Sequence, residues 1–205
     1  MKGILDHVAG TVASGRGHSR RSFLIPFRKH RPGSLFQDPD IGAPMVEIHR
    51  LTSNDGSRFR EIRLKSLRDA PDAFGSTYEE TTARPFESWP EQLANLPTFV
   101  AVVAGEDVGV VRGGPDGERA DTVWLMSMWV APSARGQGVG DALVDAVIDW
   151  AREGRFSRVT LDVSDDNRHA IALYHRKGFL PTGERGSLPP PRAHIGEHRC
   201  VLMLS

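Results

Sequence analysis

The sequence is poor in cysteine, has no long apolar run and carries no net charge. A single cysteine, Cys200, excludes an internal disulfide, and without a C-x-x-C pair it offers no thiolate metal site. No stretch reaches the roughly 18 consecutive apolar residues that a membrane-spanning helix needs. Lys and Arg number 26 and Asp and Glu 26, so no global field draws the chain to nucleic acid or anionic lipid. These absences point to a soluble globular protein of a reducing compartment. The cytoplasm is the expected location, and neither membrane nor nucleic acid is an expected partner. With 205 residues, 39% of them hydrophobic, the chain suffices for one ordinary domain and falls short of two.

The neutral total hides two unlike parts. Residues 1–44 hold seven Lys/Arg and three Asp, a net of +4, whereas residues 45–205 hold nineteen basic and twenty-three acidic residues, a net of −4. The first part has no sustained apolar period and is punctuated by glycine and proline, so it reads as a basic, poorly ordered extension. An alternative is that translation starts at Met45, where an ordered pattern begins. Ser19-Arg20-Arg21-Ser22-Phe23-Leu24 looks like the opening of a twin-arginine export signal. Such a signal needs an apolar core next, and Pro26, Arg28, Lys29, His30 and Arg31 follow instead.

From Met45 onward the pattern predicts one domain over 45–205. A short strand spans Met45–Leu51, and a helix over Ser57–Ala70 ends at Pro71. A weaker helical region covers Ser76–Leu96, interrupted by Pro85 and Pro90. Thr98–Ala104 and Val108–Val111 read as strands joined by the turn Gly105-Glu106-Asp107, and Thr122–Val130 as a longer strand halted by Pro132. Val139, Ala142, Leu143, Ala146, Val147 and Trp150 then recur at helical spacing, with Asp141, Asp145 and Asp149 on the wet face and Gly154 as the stop. Val159, Leu161 and Val163 alternate as a strand, and Asn167–Lys177 forms a short helix stopped by Gly178. A Pro/Gly-rich loop, Thr182–Gly196, leads to a last strand over Arg199–Leu204. Strands alternating with helices in the second half predict an α/β or α+β protein with a sheet flanked by helices.

The most informative segment is Arg135-Gly136-Gln137-Gly138-Val139-Gly140, which follows a strand and opens an amphipathic helix. Glycines let the backbone turn tightly and approach a ligand, and a helix start offers unpaired N–H groups and a positive dipole end. The bland alternative is a glycine-rich turn with no ligand. A dinucleotide fingerprint needs a third glycine where Leu143 stands, and an ATP or GTP loop needs lysine where Asp141 stands.

The loop fits R/Q-x-x-G-x-G/A, and here the sequence resembles the GNAT superfamily of acyl-CoA-dependent N-acetyltransferases. Met128-Trp129-Val130-Ala131-Pro132 is similar to that family's strand-then-proline approach. Asn167, Ala170, Leu173, Tyr174 and Arg176-Lys177-Gly178-Phe179 resemble its second motif, N-x-x-A-x-x-L-Y-x-x-x-G-F. Arg68-Asp69-Ala70-Pro71-Asp72-Ala73-Phe74-Gly75-Ser76 resembles the helix-to-loop segment of many bacterial members.

The resemblance implies a mixed central sheet, acetyl-CoA as co-substrate and no metal. The backbone of Arg135, Gly136, Gln137, Gly138, Val139, Gly140 and Asp141 would hold the pyrophosphate. Met128, Trp129 and Val130 would pair their backbone with the pantetheine amides, as an added strand pairs with a sheet edge. That pairing needs the neighbouring strands to splay. Asn167 would hydrogen-bond the pantetheine arm, and Arg176 or Lys177 would meet the 3′-phosphate, although cations near a helix C-terminus also have a dipole explanation. Tyr174 would protonate the departing thiolate; read by itself, it could equally be packing.

The base is less defined. Many members place a glutamate on the central strand, and Trp124-Leu125-Met126-Ser127-Met128 has none. Glu79, Glu80 and Ser127 are the candidates, against a plain solvated helix face for the two glutamates. His194-Ile195-Gly196-Glu197-His198 spells the zinc-peptidase pattern H-x-x-E-H, yet Pro189-Pro190-Pro191 and Gly196 break the helix it requires. A loop entering a strand is the expected structure, and the resemblance sets His194 or His198 beside the acceptor.

The leading reading is an enzyme that acetylates a primary amine, on a small molecule or on a protein lysine or N-terminus. The competing readings are a CoA-binding sensor or scaffold without turnover and, behind it, a nucleic-acid-associated protein acting through the basic extension. The resemblance leaves room for a homodimer.

Overall fold

The computed structural model describes residues 45–204 together with the two-residue strand Phe23–Leu24. The export-like arginines and the remainder of the basic extension lie outside the described residues. Phe23–Leu24 (β1) runs antiparallel to Glu47–Arg50 (β2), so part of a segment expected to lack regular structure forms a sheet edge.

The chain continues through α1 (Gly56–Asp69), α2 (Tyr78–Thr82), α3 (Ser88–Asn95), β3 (Thr98–Val103), β4 (Glu106–Pro115) and β5 (Thr122–Val130). It is completed by α4 (Val139–Glu153), β6 (Arg158–Ser164), α5 (Arg168–Arg176), β7 (Leu180–Ser187) and β8 (Gly196–Met203). The strands form one mixed sheet in the order β1-β2-β3-β4-β5-β6-β8-β7, in which only β5 and β6 are parallel. The expected sheet flanked by helices is therefore present.

Both faces of the sheet are covered, and strand alternation sorts the side chains between them. Val123, Leu125, Val159, Leu161, Leu143 and Val147 form a core under α4 and α5. Phe59, Ile62, Leu67, Trp89, Val100 and Val110 form a second core under α1 and α3. On β4, glycine lets α4 sit directly on the backbone: a Cβ at Gly109 would stand 2.8 Å from Leu143 Cδ1 and 3.1 Å from the Trp129 carbonyl.

Several boundaries differ from the sequence expectation, each for a local reason. The β3–β4 turn is Ala104-Gly105, both at positive φ, and β4 starts at Glu106. Pro90 does not interrupt α3, because it sits in the first helical turn, where its missing N–H has no partner to lose. The first half of the expected Thr182–Gly196 loop is β7, an edge strand exposed at every residue. Neither of its faces is buried, so no apolar alternation marks it.

Gly109→Ala is expected to destabilise the domain by about 1–3 kcal/mol through overpacking at the α4–β4 contact. The check is a lower denaturation midpoint in urea with an unchanged slope.

Candidate active site

The site begins with a break in the sheet. β5 and β6 are in register only at Thr122–Arg158, Val123–Val159 and Trp124–Thr160. Beyond Trp124 the two strands part, and the edge of β5 facing β6 has no strand partner among the described residues. A bulge in β5 accompanies the break. Val110 pairs with Trp129 and Arg112 with Met126, so Ser127 and Met128 together oppose Val111. Ser127 takes φ +56°, and an added residue of this kind bends and twists the strand that carries it.

The bulge also inverts the alternation, as a one-residue shift must. Leu125, Met128 and Val130 face α4 and α5, whereas Trp129 lies in the core under α1. The Trp129 indole donates to Asp69 Oδ2 at 2.8 Å, and Asp69 also receives the Arg135 guanidinium. Arg135 Nε donates to the Val130 carbonyl at 3.0 Å. Asp69 thus ties the end of α1 to the strand and to the glycine loop. Sequence reasoning missed it, although it stands inside the quoted Arg68–Ser76 segment.

The loop beyond Arg135 turns on Gly136 (φ +74°) and Gly138 (φ +82°), which a Cβ would disfavour by about 1–2 kcal/mol each. Gly138 starts α4 without any side-chain cap. The N–H groups of Val139, Gly140 and Asp141 consequently have no intrahelical acceptor. Gln137 Nε2 donates to the Ser133 carbonyl at 2.7 Å, which steadies the loop. Gly140 lets α5 approach, since a Cβ there would be 3.1 Å from Leu173 Cδ2. Unpaired donors at the positive end of a 15-residue helix fit a diphosphate, and the bared edge of β5 fits an amide-bearing chain.

α5 carries the second motif. Asn167 Oδ1 caps the helix by accepting from Ala170 N at 3.2 Å, and its amide nitrogen makes no hydrogen bond among the described residues. Arg176 is held bidentately by Asp141 at 2.8 and 3.1 Å, and Lys177 by Asp145 at 2.5 Å. Both cations expected at a phosphate are thus paired with acidic residues of α4. Tyr174 is buried, with its ring edge-on to Phe179 at 5.7 Å. Burial, and secondarily Cys200, raises its phenol pKa well above the usual tyrosine value, so it holds its proton at any physiological pH.

The opposite face of the sheet is roofed by the β7–β8 loop, where Arg192 donates to the carbonyls of Pro71 and, at 3.1 Å, Gly75. Between this loop, α1 and α2 lies an open cleft of ≈ 370 Å³ lined by Leu67, Arg68, Tyr78, Glu79, Pro191 and Arg192. Glu80 belongs to a cap rather than the cleft. It accepts from Thr77 N at 3.0 Å, its own N–H donates to Thr77 Oγ1 at 3.1 Å, and the first of these bonds most strongly lowers its pKa. Ser127 forms the bulge. His194 lies in the loop before β8 and His198 on β8, where Nδ1 meets Asp165 Oδ1 at 2.8 Å; this is not the helical pairing that H-x-x-E-H requires. Glu197 was read in the sequence only as part of that pattern. It stands half-buried at the start of β8 with its carboxyl pKa raised, first by burial and then by Asp162 and Asp165.

The model of the acetyltransferase (GNAT) family matches residues 62–179. Streptothricin acetyltransferase of Streptomyces lavendulae is 33% identical over 183 residues, covering 87% of this chain and 93% of its own. Among solved structures, a GNAT acetyltransferase from Streptococcus pneumoniae superposes with a TM-score of 0.65 at 19% identity, covering 78% of this chain and 99% of its own. The yncA protein of Salmonella typhimurium, solved with its cofactor acetyl-CoA, gives 0.62 at 23% identity, covering 78% and 94%. A bulged strand parted from its parallel neighbour, an uncapped glycine-turned helix and a matching family model over the same residues lead to one conclusion: the chain belongs to the GNAT family of acetyltransferases and is an enzyme.

Proposed function

We propose that the protein transfers the acetyl group of acetyl-CoA to a primary amine in a single ternary complex. The observation that carries this reading is the bared edge of β5 beside the uncapped start of α4. The first suits the amides of a pantetheine arm and the second its pyrophosphate. Met128 and Trp129 supply backbone groups to the arm, and Gly136 through Asp141 supply N–H groups to the phosphates. Asn167 offers its amide nitrogen. The whole assembly binds an anion with oriented backbone dipoles, in a domain whose net charge is negative.

Holding the amine and the thioester in one cleft makes the attack effectively intramolecular. Tyr174 then gives its proton to the thiolate as the C–S bond breaks. Its phenol is protonated at physiological pH, as a general acid must be until that moment. The acceptor enters from the opposite face, through the cleft between α1, α2 and the β7–β8 loop. The negative domain favours a cationic amine there, and the likeness to a streptothricin acetyltransferase makes that antibiotic the first compound to try.

With acetyl-CoA and a panel of streptothricin, diamines, amino acids and lysine peptides, release of free thiol is expected with at least one amine. Binding of acetyl-CoA without transfer to any of them would instead favour a sensor. Tyr174→Phe is expected to lower kcat about 100-fold while leaving the acetyl-CoA Kd within about twofold, measured by stopped-assay kinetics and calorimetry. Gly138→Ala is expected to raise the acetyl-CoA KM about tenfold, the equivalent of about 1.4 kcal/mol of strain at a positive φ.

A further inference from the structure

We propose that Glu197 is the general base that removes the proton from the acceptor's ammonium group, an assignment that rests on the amine-acetylation reading above. An alkylammonium with a pKa of about 10.4 is not a nucleophile until it loses a proton. The central strand carries no carboxylate to receive that proton, Glu80 is spent on a helix cap, and Glu79 is an exposed residue of the cleft wall.

Register places Glu197 at the mouth of the split. It pairs with Ser164, the last residue of β6, one strand from the gap that opens beyond Trp124. Alternation fixes its face. Cys200 belongs to the core under α4 and α5, so Arg199 and Glu197 stand on the other side of β8. There Arg199 lies over the Trp124 ring and binds Asp162 across the strand. This is the acceptor's face, opposite the glycine loop.

The two carboxylates that act on Glu197 are otherwise engaged. Asp162 is bound bidentately by Arg199 at 2.9 and 3.1 Å, and Glu184 on β7 meets the same guanidinium at 2.5 Å. Asp165 is shared by Arg185 of β7 and His198. From the segment between α1 and α2, Asp72 presents its carbonyl to Ser164 Oγ at 3.5 Å, and Arg192 is committed to carbonyls of that same segment. The Glu197 carboxylate has no hydrogen-bond or ion-pair partner among the described residues. Partial burial and two nearby carboxylates raise its pKa, the only carboxyl among the described residues with a resolved upward shift. The same surroundings attract an ammonium group, so the base and the cation are drawn together.

The proton balance is complete. Glu197 takes one proton from the ammonium; the amine nitrogen bonds to the thioester carbonyl carbon and the C–S bond breaks. The thiolate takes the Tyr174 proton, the phenolate takes the second proton from nitrogen, and Glu197 releases its own to solvent.

The test is the pH profile of kcat/KM for an acceptor found in the amine panel, using the full chain. Wild type is expected to reach a plateau once Glu197 ionises, well below the amine's own pKa. Glu197→Gln is expected to be about 1,000-fold slower at pH 7 and to gain tenfold per pH unit up to about pH 10, where free amine makes the base unnecessary. Its acetyl-CoA Kd, measured by calorimetry, is expected to stay within about twofold, which shows a folded site. Glu197→Asp, which keeps the charge, is expected to retain the plateau at a reduced height. A wild-type plateau and rate in Glu197→Gln would overturn the assignment and leave amine acetylation standing. So would transfer of the effect to Asp162→Asn. Wild type that binds acetyl-CoA and acetylates no amine would overturn both readings together. Should Glu197→Gln lose acetyl-CoA binding, the profile of Glu197→Asp decides: a lowered plateau with acetyl-CoA binding kept supports the base, and an unaltered height overturns it.

Discussion

The domain depends on two parallel strands that cannot stay together. β5 and β6 begin as ordinary neighbours and separate after three residue pairs. A sheet so interrupted exposes backbone donors and acceptors in its middle, where they would be costly unless a ligand or water met them. The bulge at Ser127 goes with this separation, and it redirects the side chains beyond it. Met128 and Val130 turn toward α4, while Trp129 turns toward α1 and finds Asp69. Asp69 in turn grips Arg135, so the glycine loop is fastened through the sheet to the far layer.

Electrostatics in this fold are local. The part of the chain from Met45 on has a net charge of −4, yet the features that suit a phosphate are N–H groups fixed by two glycines and a helix start. The cations next to that helix answer first to its acids. Arg176 and Lys177 lock α5 onto α4 through Asp141 and Asp145 and so hold Tyr174 and Asn167 in relation to the loop. Across the sheet, Asp162 and Glu197 stand on the same face of neighbouring strands β6 and β8.

Much of the fold was legible because periodicity reports burial. α4 shows its stripe from Val139 to Trp150, and β6 its alternation from Val159 to Val163, because each has one covered face or two. β7 left no such trace, since an exposed edge places no demand on its side chains. The glycine loop and the Asn167–Tyr174 helix were legible as motifs, their residues being dictated by local backbone geometry. The bulge was not, because its cause lies in the register with β4 rather than in the strand itself. Asp69 and Glu197 escaped for a related reason. Their partners and neighbours, Trp129 and Arg135 for the first and Asp162 and Asp165 for the second, come together only through pairings distant in sequence.

The lone cysteine has a practical side. Cys200 is buried on β8, paired opposite Leu161, and burial together with Asp162 raises its thiol pKa. A thiol-specific dye reacts with thiolate that it can reach, and this residue offers little of either. In the folded domain the protein is therefore a silent background for such a dye, and colour that develops during turnover belongs to the released coenzyme. The same dye would register the protein once the sheet opens, which makes Cys200 a built-in reporter of unfolding.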